Sequence, residues 1–267
     1  MEIKFEKVPS SIDRGISIII YGNPGSGKTT LASTLPPEET LIITTEAGLG
    51  PLLGKGHTLL DLKKVMENNQ DKTLEEVVSE IYRMLRTEKH PFKNIVLDNL
   101  SELENQLLQD YTHRRKKPHP ELKEWGDVSF RMKEWMTLFR DLEYQGLNVI
   151  FNAWETQLEI QNYGGEVRTM GVPFIAKRAA VQMCGLVDVV ARMEVYEKTG
   201  ARWLRIGPSN LYLTKTQFQG LAAAEEANLT TLISKIKGYQ YVQPVPVTAR
   251  NVNHQPQEKV NHKQEGP

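Results

Sequence analysis

The chain has 267 residues and carries 33 Lys and Arg against 33 Asp and Glu, so its formal net charge is zero. This balance excludes a protein that coats nucleic acid through overall positive charge. The composition, with 39% hydrophobic and 25% charged residues, is typical of a globular protein, and the length is near the upper limit for one hydrophobic core.

Three features of the sequence indicate the cellular compartment. The single cysteine, Cys184, cannot form a disulfide within the chain. The N-terminal residues lack the basic, apolar and small-residue order of a secretion signal. The apolar runs are all shorter than the roughly 18 residues that a membrane-spanning helix needs. We therefore expect a cytoplasmic protein with no membrane partner.

The first predicted elements form a unit of strand, loop, helix and strand. Residues 16–21 are rich in isoleucine and predict a buried strand. A glycine-rich turn at 22–27 leads into a helix that begins at Lys28 and is stopped by Pro36. Residues 40–45 predict the second strand of this unit.

Helices and strands continue to alternate in the middle of the chain. Helical spacing of apolar residues is found at 59–67, 74–86, 101–113 and 128–144. Short apolar runs at 94–98 and 147–151 predict strands, and Ser101 is the expected N-cap of the helix after the first of them. The alternation predicts an α/β fold with a mostly parallel sheet flanked by helices on both faces.

The C-terminal part of the sheet is predicted to turn antiparallel. Glycine-rich residues 156–173 are expected to form a mobile loop or a hairpin, followed by a helix at 176–185. The closing strands are predicted at 187–194, 201–206 and 210–215, the last two as an antiparallel pair. An amphipathic stretch at 222–237 completes a single domain at 1–238, and the polar residues 239–267 are expected to form a disordered tail.

A phosphate-binding motif follows the first strand. Residues 22–29 match G-x-x-x-x-G-K-[ST] at every fixed position, between a predicted strand and a predicted helix. Backbone N–H groups of such a loop surround phosphate oxygens. The predicted nucleotide-binding residues are Gly22, Asn23, Pro24, Gly25, Ser26, Gly27, Lys28, Thr29 and Thr30.

The polar residues of the motif have separate expected roles. Lys28 contacts the β- and γ-phosphates of ATP, the Thr29 hydroxyl is a Mg²⁺ ligand, and Thr30 helps to orient the phosphates. The alternative interpretation is a glycine-rich turn that holds no ligand. The motif alone does not indicate the reaction, because kinases, GTPases, helicases and recombinases share it.

Two acidic residues complete the predicted reaction centre. Asp98 ends the strand at 94–98, where a carboxylate can hold Mg²⁺, although an aspartate there can also cap the next helix. Glu46 follows the second strand, where a carboxylate can act as the general base for water, although a solvated loop glutamate is the alternative.

Three segments resemble the RecA-like P-loop ATPases, and more narrowly the phage-encoded, single-strand-annealing (Sak-type) recombination ATPases. They are residues 44–49 around Glu46, residues 98–101 from Asp98, and residues 211–220 around Lys215. The resemblance implies that Glu46 is the catalytic glutamate and that Asp98 holds magnesium. A phage protein of this kind would work in the cytoplasm of a bacterial host.

The same resemblance implies an oligomer and a γ-phosphate sensor. The strand containing Lys215 ends, in this family, in basic residues that reach the ATP of a neighbouring subunit, so we expect a ring or filament of identical chains. Gln217 stands where a second basic residue is expected, and catalytic help in trans would rest on Lys215 alone. Asn152, near the end of the fourth strand of the predicted core, is the expected sensor of the γ-phosphate.

Single-stranded DNA is the partner that the resemblance implies. Two segments, 113–127 and 155–173, fall where RecA-like proteins hold the strand. The predicted DNA-binding residues are Arg114, Arg115, Lys116, Lys117 and Arg168. Four adjacent cations can contact several phosphates, although a solvated charge run at a helix C-terminus is the alternative. A single-strand-binding protein is a candidate partner for the tail.

The sequence thus predicts a DNA-stimulated ATPase that acts on single-stranded DNA in recombination or annealing. The alternatives are an AAA+ loader or a small-molecule kinase, and a nucleotide-gated scaffold that hydrolyses little ATP. An AAA+ protein would carry a second acid after Asp98, where this chain has Asn99, and a helical lid. A kinase would carry an arginine-rich lid, which is not apparent near residue 160.

Overall fold

A computed structural model describes residues 11–46, 48–161, 165, 167–176 and 179–238. The predicted tail at 239–267 lies outside the described residues, and so does part of the predicted loop at 156–173. In the part of the chain that is described, no helix is long and apolar enough to cross a membrane.

Eleven strands and seven α-helices form within the described residues. The strands are β1 Ser17–Tyr21, β2 Thr40–Thr44, β3 Thr58–Asp61, β4 Asn94–Asp98, β5 Asn148–Ala153, β6 Glu155–Gln161, β7 Val167–Pro173, β8 Val189–Val195, β9 Arg202–Arg205, β10 Lys215–Thr216 and β11 Ala224–Glu226. The helices are α1 Lys28–Ala32, α2 Leu62–Asn68, α3 Leu74–Thr87, α4 Leu100–Arg114, α5 Leu122–Asp141, α6 Ala180–Leu186 and α7 Leu229–Gly238.

The main sheet has the strand order β11-β9-β8-β1-β5-β4-β2-β3, with β10 paired to β8. The pairs from β8 through β1, β5, β4 and β2 to β3 are all parallel. Strands β9, β10 and β11 pair antiparallel. The predicted mostly parallel sheet with antiparallel strands at its C-terminal side is therefore confirmed.

Helices cover both faces of the sheet, and alternate residues of each strand supply the two cores. One face packs against α3, α4, α5 and α6 around side chains such as Phe151 and Phe139. The other face packs against α1 and α7 around side chains such as Ile150 and Leu31. Since both faces are buried, the central strands are nearly continuous apolar runs, which is why they were recognisable in the sequence.

Several predicted elements differ from the structure. Residues 59–67 were predicted to be helical, but β3 occupies their beginning because Leu59 and Leu60 pair with β2. The predicted strand at 210–215 is reduced to β10, which pairs with β8 rather than with β9. The N-cap of α4 is Asn99 and not Ser101, since the Asn99 side chain accepts a hydrogen bond from the Glu102 N–H.

The glycine-rich segment after β5 contains an antiparallel hairpin, one of the two predicted alternatives. Strands β6 and β7 pair from Glu155 with Pro173 to Gln161 with Val167, separately from the main sheet. The outer residues are exposed, including Ile160 and Val167. The hairpin therefore projects from the edge at which β5 ends.

A buried ion-pair cluster fixes the opposite end of the central strands. Arg14 donates to both carboxylate oxygens of Asp188, at 2.8 and 2.9 Å, and forms an ion pair with Glu143 at 2.6 Å. Both acidic side chains are almost fully buried, whereas Arg14 is partly exposed. Asp188 also accepts from the N–H of Ser17 at the start of β1.

Replacing Arg14 should destabilise the whole domain. In Arg14→Met the two buried carboxylates lose their cation, and we expect the free energy of unfolding to fall by about 3 kcal/mol. Chemical denaturation measures this loss. Arg83→Met is the matched control, because Arg83 pairs with Glu80 and Glu88 on an exposed helix surface and should cost less than about 1 kcal/mol. Equal losses in the two variants would contradict the assignment.

Candidate nucleotide-binding site

The predicted phosphate loop connects β1 to α1. The loop needs glycine at two positions, because Gly25 has φ 79° and Gly27 has φ 102°, values that side chains other than glycine rarely adopt. The Ser26 hydroxyl is buried and has no hydrogen-bond partner among the residues that the structure describes. The loop therefore has the shape and a spare polar group for an anionic ligand.

Lys28 lies inside this loop. Its ammonium group donates to the carbonyl oxygens of Gly22, at 2.8 Å, and Asn23, at 3.1 Å. Burial lowers the pKa of Lys28, while the carboxylates of Asp98 and Glu46 oppose that shift. The lysine is thus held over the loop, where it can contact a phosphate group.

Thr29 and Asp98, the two predicted magnesium ligands, lie next to each other. The Thr29 hydroxyl donates to the Asp98 carboxylate at 2.7 Å, so two segments that are far apart in sequence meet at the first turn of α1. Hydroxyl and carboxylate oxygens are the hard ligands that Mg²⁺ prefers. These two residues would fit a magnesium ion, and the helix cap is supplied by Asn99 instead of Asp98.

Glu46 is connected to the same turn through Asn99. The Asn99 side-chain amide donates to the Glu46 carboxylate. The Thr45 hydroxyl donates to the Asn99 carbonyl, and the Asn99 N–H donates to the Thr45 hydroxyl, both at 3.2 Å. The end of β2 and the end of β4 are therefore tied together, which holds Glu46 beside Asp98.

The environment of Glu46 suits a base. Desolvation raises the pKa of the Glu46 carboxyl above its ordinary value, and the hydrogen bond from Asn99 acts in the opposite direction. Nearby Asp98 raises the pKa further. A carboxylate with a raised pKa accepts a proton more readily than an ordinary glutamate.

Asn152 is fully buried at the predicted sensor position. Within the described chain, neither its side-chain oxygen nor its side-chain nitrogen has a hydrogen-bond partner. In the sheet it is paired with Ile20 of β1, and the neighbouring register pairs Phe151 with Leu97 of β4. Asn152 therefore lies between the strand that leads to the phosphate loop and the strand that ends in Asp98.

Lys215 lies on β10, and its side chain contacts the C-terminal end of helix α6. Its ammonium group donates to the carbonyl oxygens of Gly185, at 2.9 Å, and Val187, at 2.7 Å, where α6 ends. A cation is stabilising at this end of a helix. Within one chain Lys215 thus contacts α6 and not the phosphate loop, and its contact with a neighbouring subunit stays a prediction.

The basic run at 114–117 is largely paired with acidic side chains. The pairs are Arg114 with Glu75 and Asp110, Arg115 with Glu124 and Asp127, and Lys117 with Glu121. Helix α4 carries the run about 20 Å away from Asp98, at about 1.5 Å per residue. Most of the local positive charge is therefore compensated, and DNA binding there stays a prediction.

The β6–β7 hairpin is anchored at the site by a residue that the sequence analysis assigned only as a cap. The Ser101 hydroxyl donates to the Phe174 carbonyl at 2.6 Å and accepts from the Trp154 N–H at 2.9 Å. Both roots of the hairpin are thus attached to the beginning of α4. Arg168 lies on β7, paired in register with Ile160, and its DNA contact also stays a prediction.

Two arginines beside the loop were missed by the sequence analysis. Arg192 of β8 pairs with Glu155 at 3.0 Å, and Arg202 of β9 donates to the Ser26 carbonyl at 3.0 Å. Neither belongs to a local motif. The pairing of β8 with β1 and β9 brings Arg202 into contact with Ser26 and places Arg192 in the lining of a cavity that the loop also lines. Only a prediction of how β8 and β9 pair in the sheet could have placed these two arginines near the loop.

Comparison with known protein families shows which family the chain belongs to. A family model described as an AAA domain matches residues 14–218. No curated protein matches. A similar solved structure is the flagellar accessory protein FlaH from Methanocaldococcus jannaschii, with a TM-score of 0.41 and 11% sequence identity over 80% of this chain and 84% of that chain.

The family match and the strand order test the predicted fold class and the predicted kind of P-loop protein. The fold class, an α/β P-loop NTPase with a RecA-like, mostly parallel sheet, is confirmed. The sequence favours a RecA-like ATPase over an AAA+ protein, whereas the matching family is described as an AAA domain. The chain belongs to the AAA domain family and is a nucleotide-binding P-loop ATPase.

Proposed function

We propose that the protein hydrolyses ATP with Mg²⁺ and uses this cycle to act on single-stranded DNA in recombination or annealing of the phage type. One observation carries the proposal. Ser101 binds both roots of an exposed hairpin, at Trp154 and Phe174, and lies three residues after Asp98. The short segment 98–101 therefore contributes Asp98 to the candidate reaction centre and also holds the projecting hairpin through Ser101.

In the proposed reaction, each residue acts at a defined place. Lys28 and the N–H groups of the loop hold the phosphates, and Glu46 accepts a proton from the attacking water. The Asn152 amide donates to the γ-phosphate and exchanges this contact for water after hydrolysis. Magnesium, when bound by Thr29 and Asp98, supplies positive charge to the phosphate oxygens.

The hairpin is the segment that we assign to the DNA strand. It follows Asn152 directly along β5, and its outer residues are exposed on both faces. The Tyr21 hydroxyl at the end of β1 donates to the Gly171 carbonyl in the hairpin at 3.1 Å. A movement of Asn152 or of the phosphate loop would thus be transmitted to both strands of the hairpin, to β6 along the chain and to β7 through Tyr21.

The oligomer belongs to the same proposal. Subunits in a ring or filament would align their hairpins along one strand of DNA, and Lys215 would have to leave the α6 carbonyls to reach the ATP of a neighbour. A scaffold that binds ATP but hydrolyses little of it is the competing function, and a measured turnover separates the two.

The role of Glu46 is tested by Glu46→Gln. The amide cannot accept the proton of water, so we expect hydrolysis to fall by at least about a hundredfold while the affinity for ATP is unchanged. Single-turnover hydrolysis and calorimetric titration measure the two quantities. Glu80→Gln, on the exposed surface of α3, is the control and should leave hydrolysis unchanged. Normal turnover in Glu46→Gln would remove Glu46 as the base.

The role of Asn152 is tested by Asn152→Leu, which replaces an unpaired buried amide with an apolar side chain of similar shape. We expect the thermal midpoint to stay the same or rise, because no buried hydrogen bond is lost. Hydrolysis should nevertheless fall by about tenfold or more. A stable variant with normal hydrolysis would show that Asn152 is only a core residue.

DNA dependence is tested by the ATPase rate with and without a single-stranded oligonucleotide. We expect stimulation, and Arg168→Gln should weaken it and reduce the salt dependence of binding by about one ion. Lys116→Gln tests the other predicted DNA-binding segment, because Lys116 is the cation of the basic run for which no ion pair is formed within the described residues. A loss in Lys116→Gln alone would assign the contact to 114–117, and a flat rate would reject DNA dependence.

A further inference from the structure

Arg202 lies directly against the phosphate loop, although it comes from the far end of the chain. Its Nε donates to the Ser26 carbonyl at 3.0 Å. A methyl group added to Gly27 would stand only 2.6 Å from the same nitrogen. The glycine of the motif therefore serves the loop conformation and also leaves room for the arginine side chain.

No acidic side chain of the described residues forms an ion pair with Arg202. Among the described residues, its hydrogen bonds go to two main-chain carbonyls, of Ser26 and, at 3.4 Å, of Gly200. The neighbouring arginines differ, since Arg192 pairs with Glu155 and Arg205 pairs with Glu194. A cation that remains uncompensated beside a polyanion-binding loop lowers the energy of a bound phosphate chain.

Arg202 also lines a cavity of about 220 Å³ beside α1. The cavity is bordered by Gly27 and Thr30 of the loop and first turn, and by Glu226 at the end of β11. The next residue, Trp203, lines a separate cavity of about 500 Å³ on the other side, because successive side chains of a strand point to opposite faces. Arg202 thus borders the junction between the phosphate loop and the first turn of α1.

We propose that Arg202 is a nucleotide-binding residue that contacts the α- and β-phosphates from outside the loop, within the same subunit. The proposal rests on nucleotide binding by this loop and is independent of hydrolysis and of DNA. Backbone N–H groups of a P-loop surround the α- and β-phosphates, and the lysine reaches the β- and γ-phosphates. The guanidinium lies at Ser26 and Gly27, before Lys28, so it supports the phosphates that ATP and ADP share.

The experiment is calorimetric titration of Arg202→Gln with Mg-ADP and with a non-hydrolysable ATP analogue. We expect the dissociation constants for both nucleotides to rise by about tenfold, because one charge-assisted contact is lost. Arg202→Lys, which keeps the charge but not the planar group, should give a smaller loss. The unfolding midpoint without nucleotide shows whether each variant is folded.

Arg205→Gln is the matched control, because Arg205 lies on the same strand and pairs with Glu194 instead of the loop. Its affinities should equal those of the wild type, and Lys28→Ala should bind neither nucleotide. Wild-type affinity in folded Arg202→Gln would overturn the inference and leave the P-loop assignment intact. A loss for the ATP analogue alone would place the guanidinium on the γ-phosphate and also overturn it. No nucleotide binding by the wild type would reject the proposed function as well.

Discussion

The parallel register of four strands is the constraint on which the candidate site depends. Thr44 pairs with Asp98, Leu97 pairs with Phe151, and Ile20 pairs with Asn152. Because parallel strands without bulges keep the same side chains on the same face, Asp98 and Asn152 lie in one row on the face that α1 covers. A register shift of one residue between any two of these strands would place a polar side chain of this row in the core on the opposite face of the sheet.

The buried polar groups of the candidate site reduce the stability of the folded chain. An unpaired, fully buried amide such as Asn152 is unfavourable by about 1–3 kcal/mol, and the buried ammonium of Lys28 is desolvated as well. The apolar residues next to them, such as Ile150 and Phe151, are fully buried on the two faces and offset the loss. Polar groups that break the local rule of an apolar core are expected where a ligand completes their contacts.

The sequence was informative where function needs a local motif or a buried strand. The phosphate loop, Asp98 and the central strands could be predicted, because their signals lie within about ten residues. The extent of β10 and the first part of 59–67 could not, since pairing with distant strands decided them. The position of Lys215 depended in the same way on contacts with the end of α6.

Charge was the least predictable property, because a cation in a sequence does not reveal its partner. The basic run at 114–117 predicts an anion site in a chain of zero net charge, yet carboxylates of α3, α4 and α5 pair with most of it. Arg202 does not belong to a run of adjacent basic residues, but the fold places it against the phosphate loop, with only carbonyl partners in the described chain. An anion is therefore attracted by the charge that remains after ion pairs have formed. In the described part of this molecule, Arg202 places such a charge beside the loop where phosphate is expected to bind.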